Sequence, residues 1–557
     1  YADDAAIEAD FAKIESLLAK AADLHGTMNT VEGVAAWYEI DDSLMYIFYK
    51  LEGYAAQKRY IDNADPDVMA FYYRVMAQYD LFNLEIAALN EELFEQSEDF
   101  LDAVEKDERM TPYLRQYQTE RRDAAYQLSE EAEQLLDPLE TLLSNAGWLY
   151  TSLAAELPYQ EIVFPDGVTR LANESNYDLM LSPDYTQAFR IEYNAALMPA
   201  YATFRNTFAQ NYSSFWTGKS ELLWAYGYAS TLEASLMVNN VEPELYQAVM
   251  DASVSSSETV ERYTKLLKHA LGLETLYGAD TNLLCAPTPE KTYTYDEACE
   301  LVLAALAPLG EAYAADARRV LAGGWVDVYP AEGKIGTAMT VDIQTVHPYI
   351  LLNFDGTLDS VRSLARELGR AMNLLYSGRT QTVSYTTHPF AVITDVNAYL
   401  NELLLYDHLI KTAATDADRK GYLAREMDLL YMIFYTQAEY ARFQQISIEA
   451  LENGEALTAD TLDRLWLENR EKYNGNGTVA TTAYTASGWM SYSSFYSDLY
   501  MYRYPIVIAA ACDIAQRITS GAEGAADDYL AFLSAGDPGS AGETYAIAGV
   551  DVTDGSF

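Results

Sequence analysis

The run Arg366-Glu367-Leu368-Gly369-Arg370 sets one carboxylate between two guanidinium groups in a frame where chemistry is expected. Were the two outer residues histidines, imidazoles at i and i+4 would share one helix face and grip a Zn²⁺, and the glutamate after the first would activate a metal-bound water. Arginine cannot take that part, because a guanidinium stays protonated at ordinary pH and has no lone pair for a metal. What remains is a general-base position, Glu367, flanked by two permanent cations. Taken alone, such a run is also the usual look of a solvated helix face.

The surrounding residues define the element that carries it. Leu358, Val361, Leu364, Ala365, Leu368, Ala371, Met372 and Leu375 recur at three- and four-residue intervals, which predicts an amphipathic helix with one buried face. Upstream, Gly324-Trp325-Val326-Asp327-Val328-Tyr329-Pro330, the GKIGTAM run from Gly333 and HPYILLNF from His347 are β-branched and aromatic with glycines between, and predict two or three strands within about 324–354.

The stretch HPYILLNFDGTLDSVRSLARELGRAMN, followed by DVNAYLNELLL, resembles the catalytic segment of the oligoendopeptidase F group of the thimet-oligopeptidase-like zinc metallopeptidases. The resemblance implies that Arg366 and Arg370 stand where the family carries its two zinc histidines, Glu367 where it carries the catalytic glutamate, and Asp395, 29 residues after Arg366, where it carries the third ligand. Both imidazoles are thus absent and one carboxylate is shorter by a methylene. No cofactor is expected, although the family uses zinc. The run Trp489 to Pro505 resembles the family segment in which a histidine and tyrosines steady the oxyanion: Ser494 falls at the histidine, while Tyr496, Tyr500 and Tyr502 are kept as oxyanion or substrate positions. Family strands of this kind pair with extended substrate, so an edge near Gly336 to Val341, with Gly336, Thr337 and Ala338, and with His347 and Ser494, is implied to bind peptide. A wholly structural sheet with a covered edge is the alternative.

Length and composition set the wider frame. At 557 residues, half of them hydrophobic, the chain can bury a large core, and the length allows about three to four domains. The formal charge of −48 would repel phosphate backbones and anionic membranes, so no nucleic-acid partner is expected. No apolar run of about 18 residues predicts a spanning helix. Residues 1 to about 150 are nearly continuous helical pattern broken at Asn63-Ala-Asp-Pro66, at Met110-Thr-Pro112 and around Asp137-Pro138, and Glu161 to Gly167 reads as a small hairpin with a Pro-Asp-Gly turn. A boundary is placed near 185: a helical N-terminal lobe over 1–185, and a catalytic-type helical domain over 186–557. The expected fold is mainly α, a two-lobed helical architecture of thermolysin-type (zincin) metallopeptidases enclosing a channel, with a small sheet beside the active-site helix.

The remaining chemistry is sparse. Cys285, Cys299 and Cys512 have no CxxC spacing, leaving room only for a single 285–299 bridge. His25, His269, His347, His388 and His408 include no i, i+4 pair, so no substitute zinc site is expected, though His347 and His388 could line a channel. Nucleotide and nucleophile-elbow motifs are missing. The favoured reading is an oligopeptide-binding pseudopeptidase; the others are a zinc endopeptidase with unconventional ligands and a structural helical protein with a closed channel. Acidity and 46 tyrosines suit an exported or surface-tethered bacterial protein, with a cytoplasmic one as the alternative.

Overall fold

A computed structural model describes residues 1–343 and 346–553. Its chain forms two compact units, each assembled from separate segments: unit one from Tyr1–Gln127, Glu290–Leu409 and Ala510–Asp551, unit two chiefly from Leu128–Pro289 and Ile410–Ala509. Each therefore draws residues from both sides of position 185.

Unit one begins with long helices over Asp4–Ala22, Val31–Ile61 and Pro66–Phe94. Their starts are chemical. The Thr30 hydroxyl accepts the Gly33 N–H, and Asp65 caps a helix that opens on Pro66, whose missing N–H costs nothing at a first turn. Their faces meet in one core that includes Trp37, Phe48, Leu51, Phe82 and Leu93; burying each such side chain contributes about 1.5–3 kcal/mol. Breaks fall at 62–65 and in the 3₁₀ turn Glu108–Tyr113, as the sequence predicts. Pro138 does not break its helix, which runs from Glu130 to Ala155. A proline interrupts one backbone hydrogen bond and crowds one carbonyl, and in this 26-residue helix the turns on either side stay formed.

A polar knot is enclosed in this bundle. The Gln116 amide donates to Asp41 Oδ2 and to Glu120 Oε1, both at 2.8 Å, and the Tyr38 hydroxyl donates to Glu120 Oε2 at 2.5 Å. Burial, reinforced by the Glu120 charge, pushes Asp41 up to about 7. A carboxyl raised in the folded state holds its proton longer than it does unfolded, so its contribution to stability is full below the unfolded value and is lost as pH rises towards about 7. Asp41→Asn keeps an oxygen for Gln116 and removes that titration. Thermal unfolding of the variant is expected to lose less stability between about pH 5 and pH 8 than the parent does, each tenfold change in proton affinity being equivalent to about 1.4 kcal/mol; identical pH slopes would rule this out.

Unit one also holds a three-stranded sheet. Tyr349–Leu351 is its centre, parallel to Val326–Asp327 and antiparallel to Met339–Val341, with Thr340 opposite Ile350. Met339–Val341 is thus an edge strand. In unit two, Glu161–Val163 pairs antiparallel with Thr169–Leu171, and Gly167 takes a positive φ of 83° in the turn, the hairpin expected from Pro-Asp-Gly. Cys285 and Cys299 are not bridged to each other. Among the described residues no helix is long and apolar enough to cross a membrane.

Candidate functional site

Leu358–Thr380 forms the predicted helix, and its entry explains the Asp-Gly-Thr lead-in. Asp355 Oδ1 accepts the Thr357 N–H at 2.9 Å and its hydroxyl at 2.6 Å, while Thr357 caps Ser360. Gly356 has φ of +84°, and a Cβ there would lie 2.9 Å from the Tyr293 carbonyl oxygen, so two constraints demand glycine.

A second helix, Ala391–Thr412, faces the first at close range. A Cβ added at Gly369 would come 2.1 Å from the Asn397 carbonyl oxygen, and the Asn401 amide donates to the Ala365 carbonyl at 3.0 Å. Glycine inside RELGR therefore sets the spacing of the two backbones. That spacing lets charged groups meet across the seam.

Arg370 spans it. Its Nε donates to Asp395 Oδ1 at 2.9 Å, a second guanidinium nitrogen reaches the same oxygen at 2.8 Å, and a third N–H donates to Glu367 Oε1. Burial works against the charge on Arg370, but Glu367 and Asp395 more than offset it and hold its proton more firmly than usual. Glu367 is further fixed by the Thr340 hydroxyl, which donates to its Oε2 at 2.8 Å and to its backbone carbonyl at 3.0 Å. The edge strand is thereby tied to the site helix. Arg366 takes a separate position: its guanidinium lies over the Tyr399 ring, 4.6 Å from the centroid, with Nε 3.9 Å from Glu402 Oε2.

Glu402 is the residue that sequence reasoning passed over. It is fully buried, and Arg362 donates to its Oε1 at 2.6 Å while also reaching Asp359. Residues 362, 366 and 370 recur every fourth position on the first helix, and 395 and 402 are seven apart on the second. Those intervals put each set on one face, and that was the available signal. Arg362 too is held protonated by Glu402, against the effect of its burial.

The other expected site residues are distributed as follows. Gly336 and Thr337 are exposed and Ala338 half-buried, just ahead of the edge strand, and Lys334 anchors their approach by donating to the Tyr329 carbonyl at 2.8 Å and the Leu352 carbonyl at 2.5 Å. His347 stacks on Trp325 at 3.9 Å, and burial holds its pKa below the ordinary value. His388 stacks on Tyr49 at 4.0 Å with Nε2 2.7 Å from Asp342. Tyr496, Tyr500, Tyr502 and Ser494 belong to unit two. There the Tyr496 hydroxyl donates to the Phe208 carbonyl at 3.3 Å and the Tyr502 hydroxyl to the Ser235 carbonyl at 2.9 Å, while Tyr500 packs under the Arg503 guanidinium.

Asp395 is about one-quarter exposed, as is Arg370, so their pairing lies between the solvated and the desolvated limit. Asp395→Ala is expected to lower the unfolding free energy by about 1–2 kcal/mol. Urea titration would read this, and no measurable change would mean that Glu367 alone satisfies Arg370.

This is a mainly helical fold of the kind found in oligoendopeptidase F-type peptidases, with the charged seam on its principal site helix. The chain belongs to peptidase family M3, whose family model matches residues 181–556. It is similar to oligopeptidase PepF of Bacillus subtilis, 27% identical over 429 residues, which are 76% of this chain and 63% of that protein. The chain thus spans less than two-thirds of that relative's length. Group B oligopeptidase PepB of Streptococcus agalactiae is 25% identical over 522 residues, covering 93% of this chain and 86% of its own. Among solved structures, oligoendopeptidase-F from Enterococcus faecium superposes with a TM-score of 0.73 at 22% identity, over 99% of this chain and 95% of that one. A Chlamydophila abortus structure does so with a TM-score of 0.88 at 24% identity, over 95% of this chain and 89% of that chain.

Proposed function

We propose that this chain is an oligopeptide-binding member of family M3 in which an arginine–carboxylate clasp takes the place of the catalytic zinc. The observation that carries the reading is the Arg370 guanidinium, hydrogen-bonded to both Glu367 and Asp395. The donor set does not suit zinc: positions 366 and 370 offer no lone pair, and the two carboxylates are engaged by a cation. Among the described residues no three His, Cys, Asp or Glu side chains group as a metal-binding set. Peptide binding is supported by the edge strand Met339–Val341, whose outer N–H and C=O groups suit an added extended chain.

The test is metal analysis after incubation with zinc, combined with mass spectrometry of short synthetic peptides exposed to the protein. We expect well under one zinc per chain, uncleaved peptides, and peptides co-eluting with the protein in gel filtration. One tightly bound zinc per chain with chelator-sensitive cleavage would overturn the reading. In the same reading the protein works outside the bacterial cytoplasm, as its 84 acidic residues and 46 tyrosines suggest, and cell fractionation would show it in the soluble cytosol if that part is wrong.

A further inference from the structure

Unit two contains a cavity of about 510 Å³ that the preceding reading does not use, a volume within the ordinary range for ligand pockets. Part of its wall is a π-helical turn, Tyr431–Thr436, inserted between the helices Asp416–Leu430 and Gln437–Glu452. Such widened turns are uncommon and concentrate at functional sites. Tyr440, Tyr492 and Trp466 form an aromatic side of the cavity, with ring centroids 4.5 Å apart for the tyrosines and 5.6 Å for Trp466 and Tyr492.

Several of its polar groups are donors that no protein acceptor meets. Trp466 is 1% exposed and its indole N–H has no acceptor. The neighbouring wall residue is Gly488, where a Cβ would stand 3.1 Å from that nitrogen, so a larger residue there would crowd the N–H. The Tyr440 hydroxyl donates to the Tyr492 oxygen at 2.7 Å, which leaves the Tyr492 proton still to be donated. Arg470 gives one N–H to Glu439 at 3.0 Å and presents others. Three donors of the wall are therefore left without a protein acceptor, and for the buried one, on Trp466, that costs about 1–3 kcal/mol.

Charge narrows the ligand. Arg470 is cancelled by Glu439, and Arg190 by Asp280 at 2.8 Å, which leaves Glu174 and Glu471 among the wall residues, both exposed. That surplus disfavours a carboxylate or phosphate. A cation would suit the acids and the rings but brings only donors, and would leave the indole and phenol protons unmet. What satisfies both conditions is a neutral group with acceptors beside an aromatic face.

We infer that this cavity binds an aromatic residue of an oligopeptide, its ring against Tyr440, Tyr492 and Trp466 and its backbone carbonyls on the Trp466, Tyr492 and Arg470 donors. The inference rests on the peptide-binding reading and adds a side-chain preference to it. The experiment is calorimetric titration of the whole protein with the blocked peptide acetyl-Gly-Gly-Phe-Gly-Gly-amide and its Leu, Lys and Glu counterparts. The phenylalanine peptide is expected to bind tightest. Trp466→Phe and the double change Tyr440→Phe with Tyr492→Phe, each removing a donor and keeping the rings, should weaken it about fivefold, while Tyr73→Phe, at an exposed tyrosine of unit one, should not. Thermal melting checks that the variants fold, and either one suffices. If peptides bind without aromatic preference, if the lysine peptide binds tightest, or if both variants bind like the parent, the inference fails and the peptide-binding reading stands. If no peptide binds the parent protein, both fall.

Discussion

Glu402→Ala is expected to lower the unfolding free energy by about 3–5 kcal/mol, the range for stripping one partner from a desolvated ion pair. The reason is asymmetry of burial. Glu402 is fully buried, and Arg362, whose side chain is 20% exposed, donates to it at 2.6 Å. Removing the carboxylate leaves the guanidinium with Asp359 as its carboxylate partner, and Asp359 is 57% exposed, so its pull is screened by water. Arg366 loses its nearest carboxylate at the same time. The loss should exceed that of Asp395→Ala, since Arg370 retains Glu367 when Asp395 is gone. Guanidinium titrations of both variants would order them. A Glu402→Ala cost below about 1 kcal/mol would mean that water enters the seam and that the helices are held by packing alone.

The two site helices differ in how far their sequences disclosed them. The first announced itself through apolar residues at helical intervals and through Asp-Gly-Thr at its start, because periodicity and capping are local properties of the chain. The clasp was legible in outline, as two arginines facing Asp395 and Glu367. Which arginine closes it was not. It depends on how the two helices meet at Gly369, whose missing side chain lets the backbone of residues 365–369 approach Asn397 and Asn401, a contact between positions about 30 residues apart that no local pattern encodes. The same holds for Glu402, which lies beside Asn401 in Leu400-Asn-Glu-Leu-Leu-Leu405, where the leucines mark core but not which residue pairs with the buried carboxylate. Pro138 failed as a breaker for the converse reason: a proline disfavours a helix locally, and here the flanking turns outweigh it. The unit-two cavity had no sequence signal beyond scattered tyrosines, because its wall is gathered from four separated stretches of chain.

The variant carrying Arg366→His, Arg370→His and Asp395→Glu should bind zinc more tightly than the parent, with a dissociation constant of micromolar or better, equivalent to about −8 kcal/mol. Charge gives the first ground. The two arginines bring +2 to a seam with Glu367, Asp395 and Glu402, and two neutral imidazoles with Zn²⁺ bring the same +2, so the exchange alters no long-range balance. Geometry gives the second: positions 366 and 370 are one turn apart on a helix whose spacing from its neighbour is fixed by Gly369, and none of the three changes touches that contact. The added methylene at 395 extends the third ligand towards the first helix. Glu367 stays oriented by Thr340, and Glu402 stays paired with Arg362, so the supporting groups survive. Single reversions should bind far more weakly, since one histidine with a carboxylate, or a carboxylate alone, falls short of the three ligands that a catalytic zinc needs. Competition against a chromogenic chelator would measure the affinity, and circular dichroism would show the fold intact. A folded triple variant with no zinc affinity would mean that Asp395 is not the residue facing the pair, and the correspondence of these positions with the family's ligands would be wrong.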